Sequence, residues 1–134
     1  MTTKAINPDT LFDAAAIGMS HARLDEETGL LFCSGQVDRN ADNRMTSTEY
    51  GGQAESALRN VGLLLEGAGA GVTDLIHLRI FVRGEASEHM NEIGGPLMKF
   101  LAGHTPAMTL VGVASLFTPD TLIEIEATAK VGTR

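Results

Sequence analysis

The chain has 134 residues, a formal net charge of −7 and a pI near 4.9. That length can bury a hydrophobic core without crosslinks, and we expect a single domain over residues 1–134. Only 10 residues are lysine or arginine, so binding to nucleic-acid backbones or anionic membranes, which needs clustered positive charge, is disfavoured. Aromatic residues make up 4% of the chain, which also argues against platforms that stack nucleobases.

The cysteine content and the N-terminal sequence predict a cytoplasmic protein. Cys33 is the sole cysteine, so an intrachain disulfide and a cysteine-based zinc site are both excluded. The N-terminus is polar, and no apolar run approaches the ~18 residues of a membrane span. The four histidines show no metal-binding spacing, and residues 38–44 lack the glycine and terminal glutamate of a calcium loop, so no metal site is predicted.

Residues 1–17 are predicted to be coil with at most a single turn. Two short strands, His21–Asp25 and Leu30–Val37, then flank the sequence DEETG, whose acidic residues and glycine are typical of a hairpin turn. A helix is predicted from Thr46 to Ala68, because Thr46 and Glu49 match a capping box and apolar residues follow at helical spacing. The glycine-rich sequence GAGAG ends it.

The second half of the chain is predicted to be strand, helix, strand, strand. In Leu75–Arg83, alternation places Ile76, Leu78, Ile80 and Val82 on one face and His77, Arg79, Phe81 and Arg83 on the other. A second helix covers residues 86–102, although Gly94-Gly95-Pro96 is a sequence that can kink it. Strands Ala107–Ser115 and Leu122–Val131 follow. The order β-β-α-β-α-β-β predicts an α+β fold with two helices on one face of a sheet.

The other face of that sheet has no cover within the chain. Its predicted members are His77, Arg79, Phe81, Met108, Leu110, Glu124 and Glu126. This set contains too many charged residues for a hydrophobic core, and its apolar members are unfavourable in contact with water. Self-association would cover it, and would place any binding site between subunits.

Several polar positions could carry chemistry, each with a simpler alternative. Ser34 and Gly35 end a strand with a hydroxyl and a close backbone approach, although turn formation explains such a pair more often. Cys33 has no base beside it in sequence, so an inert thiol is favoured over a nucleophile. Gln53 and Asn60 share a helix face, which exposed polar residues do routinely, and Asn91 is equally explained as a capping or solvent residue.

The strand sequence LIEIEA is the most suggestive. Alternation places Glu124 and Glu126 on one face and Ile123 and Ile125 on the other. Paired acids on a half-buried strand can carry protons once desolvation raises a pKa. On an edge strand the same pair would serve solubility, and the sequence leaves both readings open.

Taken in order, these segments resemble the RidA family, also called YjgF, of reactive-intermediate deaminases. The similarity covers about residues 17–131. The matching segments are Ser34 to Gln36, Gln53 to Asn60, Leu65 to Gly69, Asn91-Glu92, Thr105 to Ala107 and Ile123 to Ala129. The resemblance implies a chorismate-mutase-like α+β fold and a homotrimer with clefts at its subunit interfaces. It also implies hydrolysis of enamines and imines to a 2-oxo acid and ammonia, with no metal or organic cofactor.

The resemblance carries over to the site residues only in part. Ser34, Gly35 and Asn91 match family positions, and Glu124 matches the acid that orients water. The arginine that clamps the substrate carboxylate is replaced by Met108, and the cysteine two positions later by Leu110. The family's tyrosine near the first strand is absent, because the chain reads Met-Ser after Gly18. Met108 therefore predicts a cleft for a more apolar or differently charged ligand.

The sequence is compatible with three functions. The first is hydrolysis of an unusual imine or enamine, with Glu124 and Ser34 as catalytic residues and Gly35, Asn91, Met108 and Leu110 lining the cleft. Arg79 or Arg83 would then replace the missing carboxylate clamp, although both are more simply surface or interface residues. The second is a non-enzymatic trimer that binds a small molecule or a partner, and the third, disfavoured by the acidic charge, is a ribonuclease or translation inhibitor.

Overall fold

The computed structural model of the protein describes residues 2–132. They form a six-stranded sheet and two α-helices. The strands are β1 (Thr3–Ile6), β2 (Ala22–Asp25), β3 (Leu30–Gln36), β4 (Leu75–Arg83), β5 (Ala107–Val113) and β6 (Ile123–Lys130). The helices are α1 (Tyr50–Gly67) and α2 (Met90–Leu101), and single 3-10 turns cover Ala14–Ile17, Val72–Asp74 and Ala86–His89.

The sheet is mixed, with the strand order β1-β2-β3-β6-β4-β5. Adjacent strands pair antiparallel except β4 and β5, which run parallel and are connected through α2. Apolar side chains of both helices form one buried cluster with one face of β3, β4 and β6. The predicted α+β fold with two helices on one face of a sheet is therefore confirmed.

The other face of the sheet, called here the bare face, is open in the single chain. Strand registers place on it Phe32, His77, Arg79, Phe81, Thr109, Val111, Glu124, Glu126 and Thr128. Phe32 keeps 52% of its surface exposed and Val111 keeps 38%. The predicted uncovered face therefore exists, although two of its predicted members, both on strand β5, lie on the other face, as described below.

The N-terminal segment contains a strand that the sequence did not predict. Thr3–Ile6 pairs antiparallel with β2, although residues 1–17 were expected to be coil. Ile6 is its sole buried residue, so four residues carry almost no alternating pattern. Pairing with a distant strand, rather than local propensity, creates β1. The predicted single turn is confirmed at Ala14–Ile17.

Helix α1 begins at Tyr50, and the predicted capping box does not form. Glu49 is the N-cap residue and makes no side-chain cap. The Thr46 hydroxyl donates instead to Asp38 at 2.8 Å, and the backbone N–H groups of Thr46 and Ser47 donate to the same carboxylate. Asp38 is fully buried. Its charge makes it a stronger acceptor than a neutral cap, so it ties residues 46–47 to the end of β3.

Strand β4 matches the prediction except at Ile76. A register shift lies between Leu75 and His77, so the buried residues are Leu75, Leu78, Ile80 and Val82, and Ile76 is 43% exposed. The extra residue reverses the alternation at the start of the strand, which periodicity alone does not reveal.

Helix α2 continues through Gly94, Gly95 and Pro96, and the turn Ala86–His89 precedes it. Ile93, Leu97 and Leu101 are buried on its inner side, which stabilises the helix despite poor local propensity. No helix within residues 2–132 has the length and apolarity that crossing a membrane requires.

Candidate functional site

A β-bulge shapes β3 where Ser34 and Gly35 lie. Cys33 pairs with Ala127 and Gln36 pairs with Ile125, so three steps along β3 match two steps along β6. The additional residue lifts Ser34 and Gly35 out of regular pairing. The Ser34 hydroxyl donates to the Ser20 carbonyl at 2.7 Å, which fixes its hydrogen and leaves its oxygen lone pairs for another partner.

Gly35 lies directly against the side chain of Glu124. A Cβ atom built on Gly35 would be 2.5 Å from Oε2 of Glu124 and 2.7 Å from its carboxyl carbon. A side chain at position 35 would therefore displace the carboxylate, and glycine permits the contact. The fold thus brings Gly35 and Glu124 together from β3 and β6, and with Ser34 they form what we call the carboxylate half-site.

The surroundings of Glu124 favour its protonated form. Burial raises its pKa above 4.5, and the nearby charge of Glu126 raises it further. Glu126 itself is paired with Arg79 at 2.6 Å, across the β4–β6 pairing. The predicted placement of both glutamates on one face is confirmed. The two acids differ in environment, and Glu124 is the one suited to hold and release a proton.

Both arginines considered as a replacement clamp are already engaged. Arg79 donates to Glu126, and the Arg83 guanidinium donates to the Pro119 carbonyl in the loop between β5 and β6. A ligand carboxylate at Arg79 would compete with a side-chain carboxylate 2.6 Å away. Each arginine thus already uses its Nη1 group in the single chain, and a ligand carboxylate bound through that group would displace the existing contact.

Met108 and Leu110 lie on the opposite side of the sheet from Glu124. Met108 pairs with Leu78 and Leu110 with Ile80, both core residues of β4, so their side chains point to the helix side. Their predicted membership of the bare face is therefore wrong, because parallel register with β4 decides the side and the sequence does not state that register. Thr109 and Val111 take their places on the bare face.

Met108 and Leu110 differ from core residues in their position on the edge strand and in their exposure. Met108 is 40% exposed, since β5 is the edge strand, and Leu110 is half-buried against the core. We call Met108 and Leu110 the methionine half-site. Because of this exposure, Met108 does not act as a core-filling residue.

Asn91 lies exposed in the first turn of α2.

One chain cannot join the two half-sites around one small molecule. Strand β4 lies between β5 and β6, so the half-sites are two strand spacings apart, about 10 Å, and on opposite faces. A site that uses both needs a second copy of the chain.

Cys33 behaves as a core residue. It is 5% exposed on the helix side of β3, and burial raises the pKa of its thiol to about 12. A thiol with that pKa is almost entirely protonated at neutral pH and is a poor nucleophile. The expected inert thiol agrees with this environment.

Gln53 and Asn60 are buried, whereas the sequence pattern favoured exposed positions. The Gln53 amide donates to the carbonyls of Ser47 and Asp120 and accepts from the backbone N–H of Leu122. Asn60 donates to the carbonyls of Val37 and Arg39. Their shared face points inward, where each satisfies the backbone of a connecting segment. A two-turn spacing cannot separate this role from solvent exposure.

No three His, Cys, Asp or Glu side chains among residues 2–132 come together in a way that could hold a metal ion. Asp38 and Ser20 organise this region instead, and no sequence pattern marks them, because each acts through contacts with segments distant in the chain.

Similarity to known proteins agrees with this fold. Protein HMF1 of Saccharomyces cerevisiae is 29% identical over 103 residues, 77% of each chain. A 2-iminobutanoate/2-iminopropanoate deaminase of Dermatophagoides farinae is 29% identical over 98 residues, 72% of this chain and 74% of its own. The crystal structure of the yjgF gene product of E. coli superimposes with a TM-score of 0.81 and 29% identity, over 95% of this chain and 98% of that one. The profile of the family described as endoribonuclease L-PSP matches residues 14–131, and the chain therefore belongs to this family, also known as the RidA/YjgF family.

Proposed function

We propose that the protein is a homotrimer that binds a small imine or enamine at its subunit interfaces and hydrolyses it to a carbonyl compound and ammonia. The observation that carries this proposal is the Glu124 carboxyl group held against the Gly35 backbone with a raised pKa. The D. farinae relative bears the name of an imine deaminase, which supports the same reaction class.

The chemistry needs only a proton carrier, a water molecule and a polarised C=N bond. Protonated Glu124 donates its proton to the imine nitrogen, and water adds to the carbon. As water adds, one of its protons passes to the Glu124 carboxylate. Glu124 then protonates the amino nitrogen of the carbinolamine, the C–N bond breaks to release ammonia, and the hydroxyl proton returns to Glu124, which gives the carbonyl product. An acid with a raised pKa is suited to give and take a proton in each of these steps. The Ser34 oxygen, whose hydrogen is committed to Ser20, accepts a hydrogen bond from the water.

The assembly is supported by the bare face and by the separation of the half-sites. Phe32, Phe81 and Val111 leave apolar surface on the bare face, beside the Arg79–Glu126 pair. A second copy that covers this surface removes it from water. Only such a copy can place a methionine half-site beside a carboxylate half-site.

Met108 sets the preference for substrate. A thioether cannot form the paired, charge-assisted hydrogen bonds that a guanidinium makes to a carboxylate. We therefore expect slow hydrolysis of 2-aminoacrylate or 2-iminopropanoate, and better use of substrates that place an apolar group at this wall.

A second candidate is a non-enzymatic trimer that binds a small molecule in the same cleft. Met108 is the observation that favours it, because loss of the clamp weakens catalysis more directly than binding of an apolar ligand. Cleavage of RNA is the least supported function, since a net charge of −7 opposes binding to phosphates.

The test is a hydrolysis assay on imines that an amino-acid oxidase generates in the cuvette, with 2-oxo acid formation followed above the uncatalysed rate. We expect little activity of the unmodified protein on 2-iminopropanoate, at least a tenfold gain in the Met108→Arg variant, and loss of that gain when Glu124→Gln is added. Efficient hydrolysis by the unmodified protein would show that another group binds the carboxylate. If no imine is hydrolysed by either protein, the binding function replaces the enzymatic one.

A further inference from the structure

A cavity lies beyond the end of the bulged strand β3. It has a volume of about 300 Å³, at the lower end of small-molecule sites. Phe12, Ile17 and Phe117 contribute apolar walls, and Asp13 and Arg39 contribute charges. Ile17 is 63% exposed and Phe117 86% exposed. Neither half-site contributes a lining residue, so this cavity is distinct from both.

The two charges in the cavity have no charged partner. The ion pairs within residues 2–132 are Arg79–Glu126 and His89–Glu92, so Asp13 and Arg39 do not pair with each other or elsewhere. Asp13 precedes the 3-10 turn without capping it through its side chain. Arg39 makes a single long contact, 3.4 Å to the Asn43 carbonyl. Opposite charges thus line one cavity and remain available to a ligand.

The cavity is built on segments that buried amides hold in place. Asn60 binds the carbonyls of Val37 and Arg39, which fixes the backbone that carries the guanidinium. Gln53 binds Asp120 and Leu122, on either side of the lining residue Thr121. Hydrogen bonds from α1 therefore hold both walls in place, so a ligand would bind with little additional loss of conformational entropy in the protein.

We propose that this cavity binds a free α-amino acid with an apolar side chain. Such a molecule carries a carboxylate for Arg39, an ammonium group for Asp13 and an apolar group for the phenylalanine and isoleucine walls. A purely apolar occupant, such as a face of a second copy, would bury both charges without partners, which is unfavourable. The inference does not depend on imine hydrolysis, because no proposed catalytic residue lines the cavity.

The experiment measures binding of L-leucine by isothermal titration calorimetry to the unmodified protein. Two analogues each remove one charge: 4-methylpentanoate lacks the ammonium group and 3-methylbutylamine lacks the carboxylate. We expect leucine to bind, and each analogue to bind at least tenfold more weakly. Arg39→Gln and Asp13→Asn should each weaken leucine binding at least tenfold. Arg44→Gln and Asp9→Asn, which change exposed charges outside the cavity, should leave it unchanged.

Glu124→Gln and Met108→Arg should also leave leucine affinity unchanged, which separates this site from the proposed catalytic cleft. The inference is overturned if leucine does not bind, if Arg39→Gln binds it as well as the unmodified protein, or if 4-methylpentanoate binds equally well. Loss of leucine binding in Glu124→Gln with retention in Arg39→Gln would assign the ligand to the catalytic cleft instead.

Discussion

Two neighbouring residues, Gly35 and Glu124, define the chemistry that this chain can support. The absent side chain of Gly35 leaves room for the carboxyl group, and burial together with Glu126 raises the pKa of that group. Met108 is different, since it lies on the edge strand β5, two strands away from the acid and on the opposite face of the sheet. The residues that resemble a known site are therefore divided between two surfaces of the chain.

The raised pKa of Glu124 predicts how stability depends on pH. The folded state keeps a proton on Glu124 at pH values where the unfolded chain, with a pKa near 4.5, has lost it. The free energy of unfolding therefore decreases as pH rises from about 4.5 through the folded-state pKa, and then no longer changes for this reason.

Glu124→Gln removes this contribution, so the variant should gain stability relative to the unmodified protein as pH rises through that window. Urea unfolding at matched protein concentration measures the difference at each pH. Glu27→Gln, an exposed acid in the hairpin turn, is the control and should show no such trend. A stability difference for Glu124→Gln that shrinks with rising pH would contradict the assigned environment.

The thiol of Cys33 gives an independent test of the core. With a pKa of about 12 and 5% exposure, it should resist Ellman's reagent at pH 8 in the folded protein and react fully in denaturant. Rapid modification of the folded protein would show that β3 opens readily or that its helix side is not packed as described.

Among the secondary-structure elements, the strongly periodic segments were predictable and the irregular ones were not. Helix α1, strand β4 and strand β6 follow from spacing, since their buried faces repeat over several turns or pleats. Ile76 and Gly35 lie at irregularities that shift the pattern by one residue, and Thr46 is bound by a buried carboxylate instead of capping a helix. Such features depend on partners distant in sequence, as does the register that places Met108 on the helix side.

The buried amides of α1 should be important for stability. Gln53→Ala removes three hydrogen bonds from a fully buried side chain to backbone groups and leaves the Asp120 carbonyl and the Leu122 N–H without that partner, so we expect a loss of about 3 kcal/mol in the free energy of unfolding. Glu55→Ala, an exposed position on the same helix, should change it by less than about 0.5 kcal/mol. Chemical denaturation measures both. A small effect of Gln53→Ala would mean that water or another group replaces the amide.

At the scale of the whole molecule, the bare face is the part of the sheet that no element within residues 2–132 covers. An apolar and ionic sheet face that no helix covers is best explained by association of copies, and the proposed trimer gives the two half-sites a way to meet. The resemblance to a family pointed to the same assembly, while the single chain shows why assembly would be needed for a complete site.

Light scattering at micromolar concentration should therefore report a trimer. Phe32→Asp places a charge on the bare face and should dissociate it, because burying an unpaired carboxylate is unfavourable. Met98→Asp, at an exposed apolar position on α2, should leave the trimer intact. A monomeric unmodified protein would remove the basis for the interfacial cleft.

In the proposed trimer, Glu124 and residue 108 of different copies form one site, and mixed oligomers distinguish this arrangement from a site within one chain. The unmodified protein supplies Glu124 but no arginine, and the Met108→Arg/Glu124→Gln double variant supplies the arginine but no acid. Each alone should hydrolyse 2-iminopropanoate poorly. After the two are unfolded and refolded together, a shared site predicts that activity appears, since some interfaces then combine the acid of one copy with the arginine of another. If Met108→Arg alone is active but the mixture remains as inactive as its components, both residues serve a site within one chain, which contradicts a site shared between copies.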